Sequence, residues 1–256
     1  MIRPYYLLFL LAGGMVVSCK TQREEKPQDI SFEQKTINTA YPEGCKSSDS
    51  TCTYFHVSYP QFAGLDSAVL RKLTAMIDTS LVWDNKEERG KPMRQQATEF
   101  IASYIEVRNT IPDLNEVWYY TGDVTPQRID DKVLSVAIHG EYYTGGAHGS
   151  EGKHFININP STGAVVALGD ILKDNYEQQL TLQAEKNFRE KYKLSSTASL
   201  QENGFDFPDD AFQLTDNYGF TDEGIVFYYN NYEIAAYVNG PTELVVPYQS
   251  LGELLR

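Results

Sequence analysis

The segment KVLSVAIHGEYYTGGAHGSEGKHFININ, residues 132–159, decides the fold because it predicts a β-hairpin with one buried face. Apolar residues occupy even positions on both sides of its glycine-rich turn: Leu134, Val136, Ile138, Ile156 and Ile158. Side chains alternate between the two faces of a strand, so residues that face each other across a hairpin must have the same parity. The segment therefore predicts two antiparallel strands that share one core face.

Three histidines of this segment, His139, His148 and His154, are close enough in sequence to suggest a metal site. The parity of the hairpin opposes that interpretation, because His139 and His154 would point to opposite faces of the sheet. A bulge in the loop would overturn this argument, but the chain has no HExxH or HxxxH spacing. We expect no metal ion and no cofactor.

The turn itself, YYTGGAHGSEG at 142–152, resembles a phosphate-binding loop only in its glycine content. It lacks the Lys and Ser/Thr of such loops and does not lead into a helix. We interpret glycines such as Gly145 and Gly146 as residues that permit positive φ in a long hairpin loop.

Periodicity extends the prediction along the rest of the chain. Apolar spacings of three and four predict helices at 65–81, 93–107, 168–172 and 176–192 and a helical turn at 249–255. Alternation predicts strands at 53–59, 116–124, 132–143, 153–159, 212–216, 224–229, 233–238 and 243–247, the first ending at Pro60. Strands and helix pairs are segregated, so the predicted class is α+β, with mainly antiparallel sheets, helices packed on one face and two small packed subdomains.

The start of the chain, MIRPYYLLFLLAGGMVVSCK, predicts export. One positive charge precedes an apolar stretch at 5–17, whose helix would be about 20 Å long and too short for a ~30 Å hydrocarbon core. We therefore predict a lipoprotein signal peptide at 1–18 and acylation of Cys19, with an ordinary secretory peptide as the alternative. The polar stretch 19–43 is predicted to be a flexible tether. Glu24 and Glu25 resemble the surface signals of Bacteroidetes lipoproteins, so we expect a lipid-anchored envelope protein, facing the periplasm or the surface of the outer membrane.

Composition excludes one class of partner and predicts one cross-link. The net charge of -13 would repel nucleic acid over most of the surface. Cys45 and Cys52 are close neighbours, and an oxidising compartment favours a disulfide between them. The alternative, a pair of metal-binding or reactive thiols, lacks a His or acidic partner at ligand spacing.

Motifs for bond cleavage are missing from the sequence. It contains no GxSxG motif, and Ser150 beside His148 has no third residue to orient the pair, so no nucleophilic serine is predicted. The acidic pairs at 130–131, 209–210 and 222–223 fall in predicted turns, where solvated charge is the simpler interpretation than acid catalysis. We predict no catalytic residue.

Several segments nevertheless resemble a known pair of domains. YTGGAHG at 143–149 is followed by FININPSTG at 155–163, VVALGDIL at 165–172 and the aromatic stretch FQLTDNYGFTDEGIVFYYNNYEIAAYVNGPTELVVPYQSL at 212–251. In this order they are similar to the paired domains of unknown function in the extracytoplasmic region of RsiV-type lysozyme-sensing anti-sigma factors. The same pair resembles the non-catalytic N-terminal region of PdaC-type peptidoglycan deacetylases, and the resemblance covers about 53–251.

The resemblance implies an α+β fold at the envelope, with a PdaC-like domain at 44–125 and an RsiV-like domain at 126–256. It implies no reaction, because deacetylation in PdaC-type enzymes belongs to a separate domain whose metal motif is missing from this sequence. A cytoplasmic sigma-binding segment is missing as well. The capacity of the extracytoplasmic domain for binding is what the resemblance implies for this chain.

Two hypotheses follow for the function. The first is a lipid-anchored, non-catalytic binding module that recognises a protein such as lysozyme or a cell-wall glycan, since an acidic surface suits a basic partner. Its candidate contacts are aromatic, glycine and acidic residues: Tyr142, Tyr143, Gly145, Gly146, His148, Tyr228, Tyr229, Tyr232 and Glu233. The alternative is a hydrolase of envelope glycans or peptides that uses Glu233 or Glu141 with nearby histidines, if burial raises the pKa of Glu233.

Overall fold

The computed structural model describes residues 29–81, 90–111 and 115–256. The strands are β1 (Ser31–Tyr41), β2 (Thr53–Ala63), β3 (Tyr119–Ile129), β4 (Leu134–Tyr143), β5 (Ser150–Ile158), β6 (Tyr218–Phe220), β7 (Gly224–Tyr229) and β8 (Thr242–Pro247). The helices are α1 (Ser67–Ser80), α2 (Met93–Thr110), α3 (Leu168–Ile171), α4 (Glu177–Lys191) and α5 (Tyr248–Leu251). The predicted signal peptide and Cys19 lie outside the described residues. Within these residues, every helix is too short or too polar to cross a bilayer.

Strands β1 to β5 form one sheet in the order of the sequence. All neighbours are antiparallel except β2 and β3, which are parallel because the chain crosses over through α1 and α2 between them. Both helices cover one face of this sheet. Leu73 of α1 and Ala97 of α2 are fully buried there against Val57 of β2.

The predicted hairpin is confirmed in both its pairing and its parity. β4 pairs with β5 in the register Leu134↔Ile158 and Ile138↔His154, which places the even positions of both strands on the helix side. His139 pairs with Lys153 and points to the other face. The prediction that His139 and His154 face opposite sides is therefore confirmed.

The second half of the chain forms its own core. Strands β6, β7 and β8 make an antiparallel sheet that packs with α3, α4 and α5 around Phe188, a fully buried residue of α4. The two separate cores, the mainly antiparallel sheets and the helices on one face of the larger sheet confirm the predicted α+β class.

The predicted boundary between residues 125 and 126 is wrong, because it falls inside β3. β3 pairs with β4 through residues on both sides of this point, so β4 and β5 belong to the same sheet as β1 and β2. The second unit instead packs against the helix-free face of this sheet. Asn157 Nδ2 donates to the Tyr218 carbonyl at 2.8 Å, and Ser135 Oγ accepts from the Phe220 amide at 3.1 Å.

Two predictions near the start of the described chain need correction. Residues 31–41 of the predicted tether form β1, because Ile37 is buried against the helices although the remainder of the strand is largely polar. β2 does not end at Pro60 but continues to Ala63. β3 pairs only with residues 54–58 of β2. Pro60 lies beyond this paired region, so the N–H group that proline lacks would have had no strand to bond on that edge of β2.

The predicted strands at 212–216 and 233–238 are also wrong. In the second segment the Glu233 carboxylate accepts a hydrogen bond from the Asn230 backbone N–H at 2.9 Å, which closes a turn directly after β7. Ile234 is buried, whereas Tyr232, Glu233 and Ala236 face solvent, so a turn with one buried apolar residue resembles the alternation of a strand. β6 was missed because it contains only three residues.

The predicted disulfide between Cys45 and Cys52 is present, with the Cα atoms 5.7 Å apart. It closes the connection between β1 and β2. Replacing both cysteines by serine will lower the free energy of unfolding by about 2.5 kcal/mol, because the unfolded chain regains the entropy of this loop. Urea unfolding with and without a reductant tests this. The reductant should destabilise the wild-type chain but leave the double variant unchanged, and equal sensitivity of both would contradict the assignment.

Candidate functional site

The helix-free face of the larger sheet carries a row of three tyrosines on adjacent strands. Tyr54 of β2 pairs with Tyr119 of β3, which pairs with Tyr143 of β4. The ring centroids are 6.0 Å apart in both steps, with interplanar angles of 18° and 27°. All three side chains are half-buried. This tyrosine row spans the middle of the sheet where the second unit leaves it open.

A second aromatic group borders the row at the junction of the two units. The His148 ring, in the loop between β4 and β5, stacks on Tyr237 at 5.0 Å, and Tyr237 contacts Tyr232 at 5.4 Å. Tyr232 and Val238 are 65% and 89% exposed, so this part of the junction presents large apolar side chains to solvent. We call His148, Tyr232, Tyr237 and Val238 the aromatic lip.

Carboxylates surround these rings. Glu141 accepts a hydrogen bond from the Tyr119 hydroxyl at 2.8 Å and lies directly across from Glu151 in the hairpin. Glu151 accepts from Asn231 Nδ2 at 2.9 Å and lies 3.7 Å from His139 Nε2. Negative charge is therefore concentrated beside the tyrosine row and the lip.

The environment of Tyr119 favours its neutral phenol. Burial, together with the hydrogen bond to Glu141 and the negative charge of that carboxylate, raises the pKa of Tyr119 to about 12. Because the folded-state pKa is raised, any stabilisation from the neutral phenol is complete below the ordinary pKa and is lost as the pH rises through about 12.

Alkaline titration tests this arrangement. In the phenolate absorbance of the folded protein, Tyr119→Phe will remove a component that titrates near pH 12. Glu141→Gln will shift the same component to lower pH, because it removes the carboxylate that opposes ionisation. An unchanged alkaline profile in both variants would show that the Tyr119–Glu141 pair does not form.

The loop that carries His148 depends on glycine for its conformation. Gly145 and Gly146 both have φ of +100°, which lies in the region that favours glycine. The Tyr143 hydroxyl donates to the Gly146 carbonyl at 2.9 Å, so the loop is attached to one end of the tyrosine row. This agrees with the interpretation of the glycines as residues of a hairpin loop.

The structure divides the predicted contact residues into two groups. Tyr143, His148, Tyr232 and Glu233 lie on the open surface around the row and the lip, and Gly145 and Gly146 shape the loop between them. The other three predicted contacts, Tyr142, Tyr228 and Tyr229, pack against other parts of the chain. Tyr142 packs on the larger core, Tyr229 is buried and donates to the Gln213 carbonyl, and Tyr228 is buried beneath the Lys153 ammonium group.

Sequence reasoning missed Tyr54, Tyr119 and the supporting role of Glu151. The signal was present in the alternation of β3, where Tyr120 and Val124 face the core while Tyr119 and Asp123 do not. Alternation places Tyr54 of β2 and Tyr119 of β3 on the face away from the core, but it does not show that these two strands are adjacent.

The predicted alternative, a hydrolase, finds only part of its residues together, because His139 lies on the same face of β4 as Glu141, whereas Glu233 and His154 differ from the prediction. Glu233 is exposed and caps a turn, so the expected burial is wrong. His154 lies on the opposite face from Glu141, and burial lowers the pKa of His154 to about 4, so its imidazole is neutral. Residues 29–81, 90–111 and 115–256 contain no group of three or more His, Cys, Asp or Glu side chains that could hold a metal ion.

Comparison with known proteins finds a family match in each half of the chain. Residues 46–151 match the family model described as deacetylase PdaC, and residues 169–249 match that of a protein of unknown function, DUF3298. The chain has a PdaC-like region followed by a DUF3298-like region. The resemblance to this domain pair is therefore confirmed, and the pair supports a non-catalytic, envelope-associated module.

Solved structures support the same fold. A DUF3298 family protein from Bacteroides fragilis matches with a TM-score of 0.64 and 21% identity, covering 91% of this chain and 96% of the other. A DUF3298 family protein from Pseudomonas aeruginosa matches with a TM-score of 0.61 and 22% identity, covering 90% and 96%. No significant match was found among the curated proteins.

Proposed function

We propose that this chain is a lipid-anchored, non-catalytic binding module of the cell envelope, and that its tyrosine row and aromatic lip bind a basic protein such as lysozyme. The observation that supports this most directly is that half-buried tyrosine rings and the carboxylates of Glu141 and Glu151 share one open sheet face at the junction of the PdaC-like and DUF3298-like regions.

The chemistry of this face suits a cationic protein surface. Tyrosine offers apolar contact area with a polar end and dominates many protein interfaces together with tryptophan and arginine. The guanidinium and ammonium groups of a partner would meet both aromatic rings and the carboxylates of Glu141 and Glu151. The net charge of -13 would also raise the rate of association with a basic partner.

The proposed location rests on the start of the sequence and on one structural feature. The apolar segment followed by Cys19 has the pattern of an acylated lipoprotein, and the Cys45–Cys52 disulfide suits an oxidising compartment. Metabolic labelling with a radioactive fatty acid tests the anchor. The wild-type chain should incorporate label and fractionate with membranes, whereas Cys19→Ala should do neither. Labelling of the variant would overturn the assignment.

Lysozyme capture by the full chain tests the proposed ligand. The double variant Tyr232→Ala/Tyr237→Ala should weaken binding about tenfold or more, as for a central aromatic contact. Glu141→Gln should weaken binding mainly through a slower association rate that depends on salt. Val165→Ala and Glu202→Gln are matched controls, because both residues are exposed and lie outside the face. Binding that is lost equally in the controls, or kept in the double variant, would overturn the proposal.

A cell-wall glycan is the second candidate ligand, favoured by the tyrosine row itself. Three half-exposed rings with hydroxyl groups extend over two steps of 6.0 Å, and such side chains contact both the apolar and the polar atoms of a sugar. Sedimentation with purified peptidoglycan separates the two candidates. If the wild-type chain sediments with peptidoglycan and Tyr54→Ala does not, the glycan is favoured. If the chain binds neither lysozyme nor peptidoglycan, both proposals are overturned.

A further inference from the structure

Strand β1 forms an edge of the larger sheet and differs from the other sheet edges in its lack of protection. At β5, the Lys153 amide donates to Asn230 Oδ1 and the Lys153 carbonyl accepts from Asn217 Nδ2. At β8, the Val245 carbonyl accepts from Asn187 Nδ2. Polar side chains therefore satisfy backbone groups along these edges, whereas in the described part of the chain β1 pairs only with β2.

The shape of β1 is that of a strand ready to accept a neighbour. Its eleven residues pair with β2 in an uninterrupted register without a bulge. Natural sheets protect an edge with charged side chains, proline, bulges or short strands, because an exposed regular edge is a template for another chain. β1 contains no proline and only two charged residues, Glu33 and Lys35.

These two charges make the strand complementary to itself. Glu33 and Lys35 lie on the same face of β1, one residue on either side of Gln34, and their side chains are 73% and 37% exposed. In an antiparallel pair of copies centred on Gln34, each Glu33 lies opposite the Lys35 of the second copy. Opposite charges directly across a strand pair are favourable, and like charges are not.

The other face of β1 fits the same register. Phe32 is 46% exposed and would lie opposite Thr36 of the second copy, a pairing of an aromatic with a β-branched side chain. The charge pairs and the apolar pairs thus favour the register centred on Gln34 over registers shifted along the strand.

We propose that β1 is a dimerisation edge, where two copies of this chain pair antiparallel about Gln34 and join their five-stranded sheets into one sheet of ten strands. Because the two-fold axis is perpendicular to this sheet, both tyrosine rows face the same side. The two copies of β3 are separated by five strand spacings, which is about 24 Å. The dimer would then present two binding faces to one surface, which raises the apparent affinity for a repeated ligand. The proposal does not depend on the identity of that ligand.

Disulfide trapping of the full chain tests the edge and its register. Residues that face each other across an antiparallel pair have Cα atoms 4.5 to 5.5 Å apart, within reach of a disulfide. Gln34→Cys should therefore form a covalent dimer under mild oxidation. Asn38→Cys is the control, because it is equally exposed on the same strand but would lie about 27 Å from its copy. A dimer with Asn38→Cys, or with the wild-type cysteines alone, would overturn the register.

Charge reversal in the Gln34→Cys background separates contacts between chains from contacts within one chain. Glu33→Lys alone and Lys35→Glu alone should each reduce trapping about tenfold, because each places like charges opposite each other. Coexpression of these two variants should restore trapping between them, although the ion pair within each chain remains broken. The proposal would be overturned if trapping did not respond to either charge reversal, or if the two coexpressed variants formed no disulfide with each other. Adducts whose mass indicates a different protein would also overturn it.

Discussion

Replacing Phe188 by alanine will lower the free energy of unfolding by about 3 to 5 kcal/mol. Phe188 is fully buried at the centre of the second core, and four aromatic rings lie within 5.5 Å of its centroid. Alanine would remove the ring and leave a cavity that these neighbours cannot fill, because each is fixed by further ring contacts. The neighbouring rings belong to Tyr192, Phe205, Phe207 and Phe212.

Chemical unfolding measures this effect, and Leu182→Ala on the same helix is the matched control. Leu182 is 59% exposed, so its truncation should change the free energy of unfolding by less than about 0.5 kcal/mol. Similar losses in both variants would mean that helix propensity and not core packing determines the effect. A loss below about 1 kcal/mol for Phe188→Ala would contradict the packing of this core.

The fold was predictable wherever a buried face makes apolar residues recur at the spacing of a helix or a strand. The hairpin of β4 and β5, both long helices of the larger unit and strand β7 follow directly from apolar spacing, because each buries one face or both. β1 was not predictable in this way. It lies at an edge and buries little besides Ile37, so tertiary pairing and not its own pattern makes it a strand.

Turn chemistry explains the second kind of failure. The segment after β7 alternates like a strand, yet the Asn230 backbone N–H is bound by the Glu233 carboxylate, and Tyr232 adopts a φ of 68°. Such a conformation ends a strand regardless of the apolar residues that follow. The consequence is functional, because this turn projects Tyr232 and Tyr237 over the edge of the hairpin instead of burying them in a sheet.

The candidate site could be predicted only in part because it is assembled from distant segments. Tyr143 and His148 were found from the composition of one loop, but Tyr54 and Tyr119 become neighbours only through the parallel pairing of β2 and β3. A sequence shows which residues of a strand share a face, whereas strand order decides which strands are adjacent. The crossover through two helices sets that order here, and no local pattern encodes it.

The position of the second unit on the sheet depends on a close approach at Gly219, and this predicts a second large effect. A Cβ atom at Gly219 would lie 2.2 Å from Phe155 Cδ1 and 2.7 Å from two further ring atoms. Gly219→Ala will therefore lower the free energy of unfolding by about 3 kcal/mol, the upper end for overpacking, because the ring must move within a packed junction. Chemical unfolding measures the loss.

The control and the rescue both follow from the same geometry. Gly169→Ala should change the free energy of unfolding little, because the nearest atom to the added Cβ, Tyr176 Cε1, would lie at an ordinary contact distance of 3.7 Å. Phe155→Ala removes the clashing ring, so Gly219→Ala should lower the free energy of unfolding much less in that background than in the wild-type chain. A coupling energy near zero between the two substitutions would show that the units do not meet here. Because the aromatic lip combines His148 of the first unit with Tyr237 of the second, a shift at this junction should also weaken ligand binding while both cores stay folded.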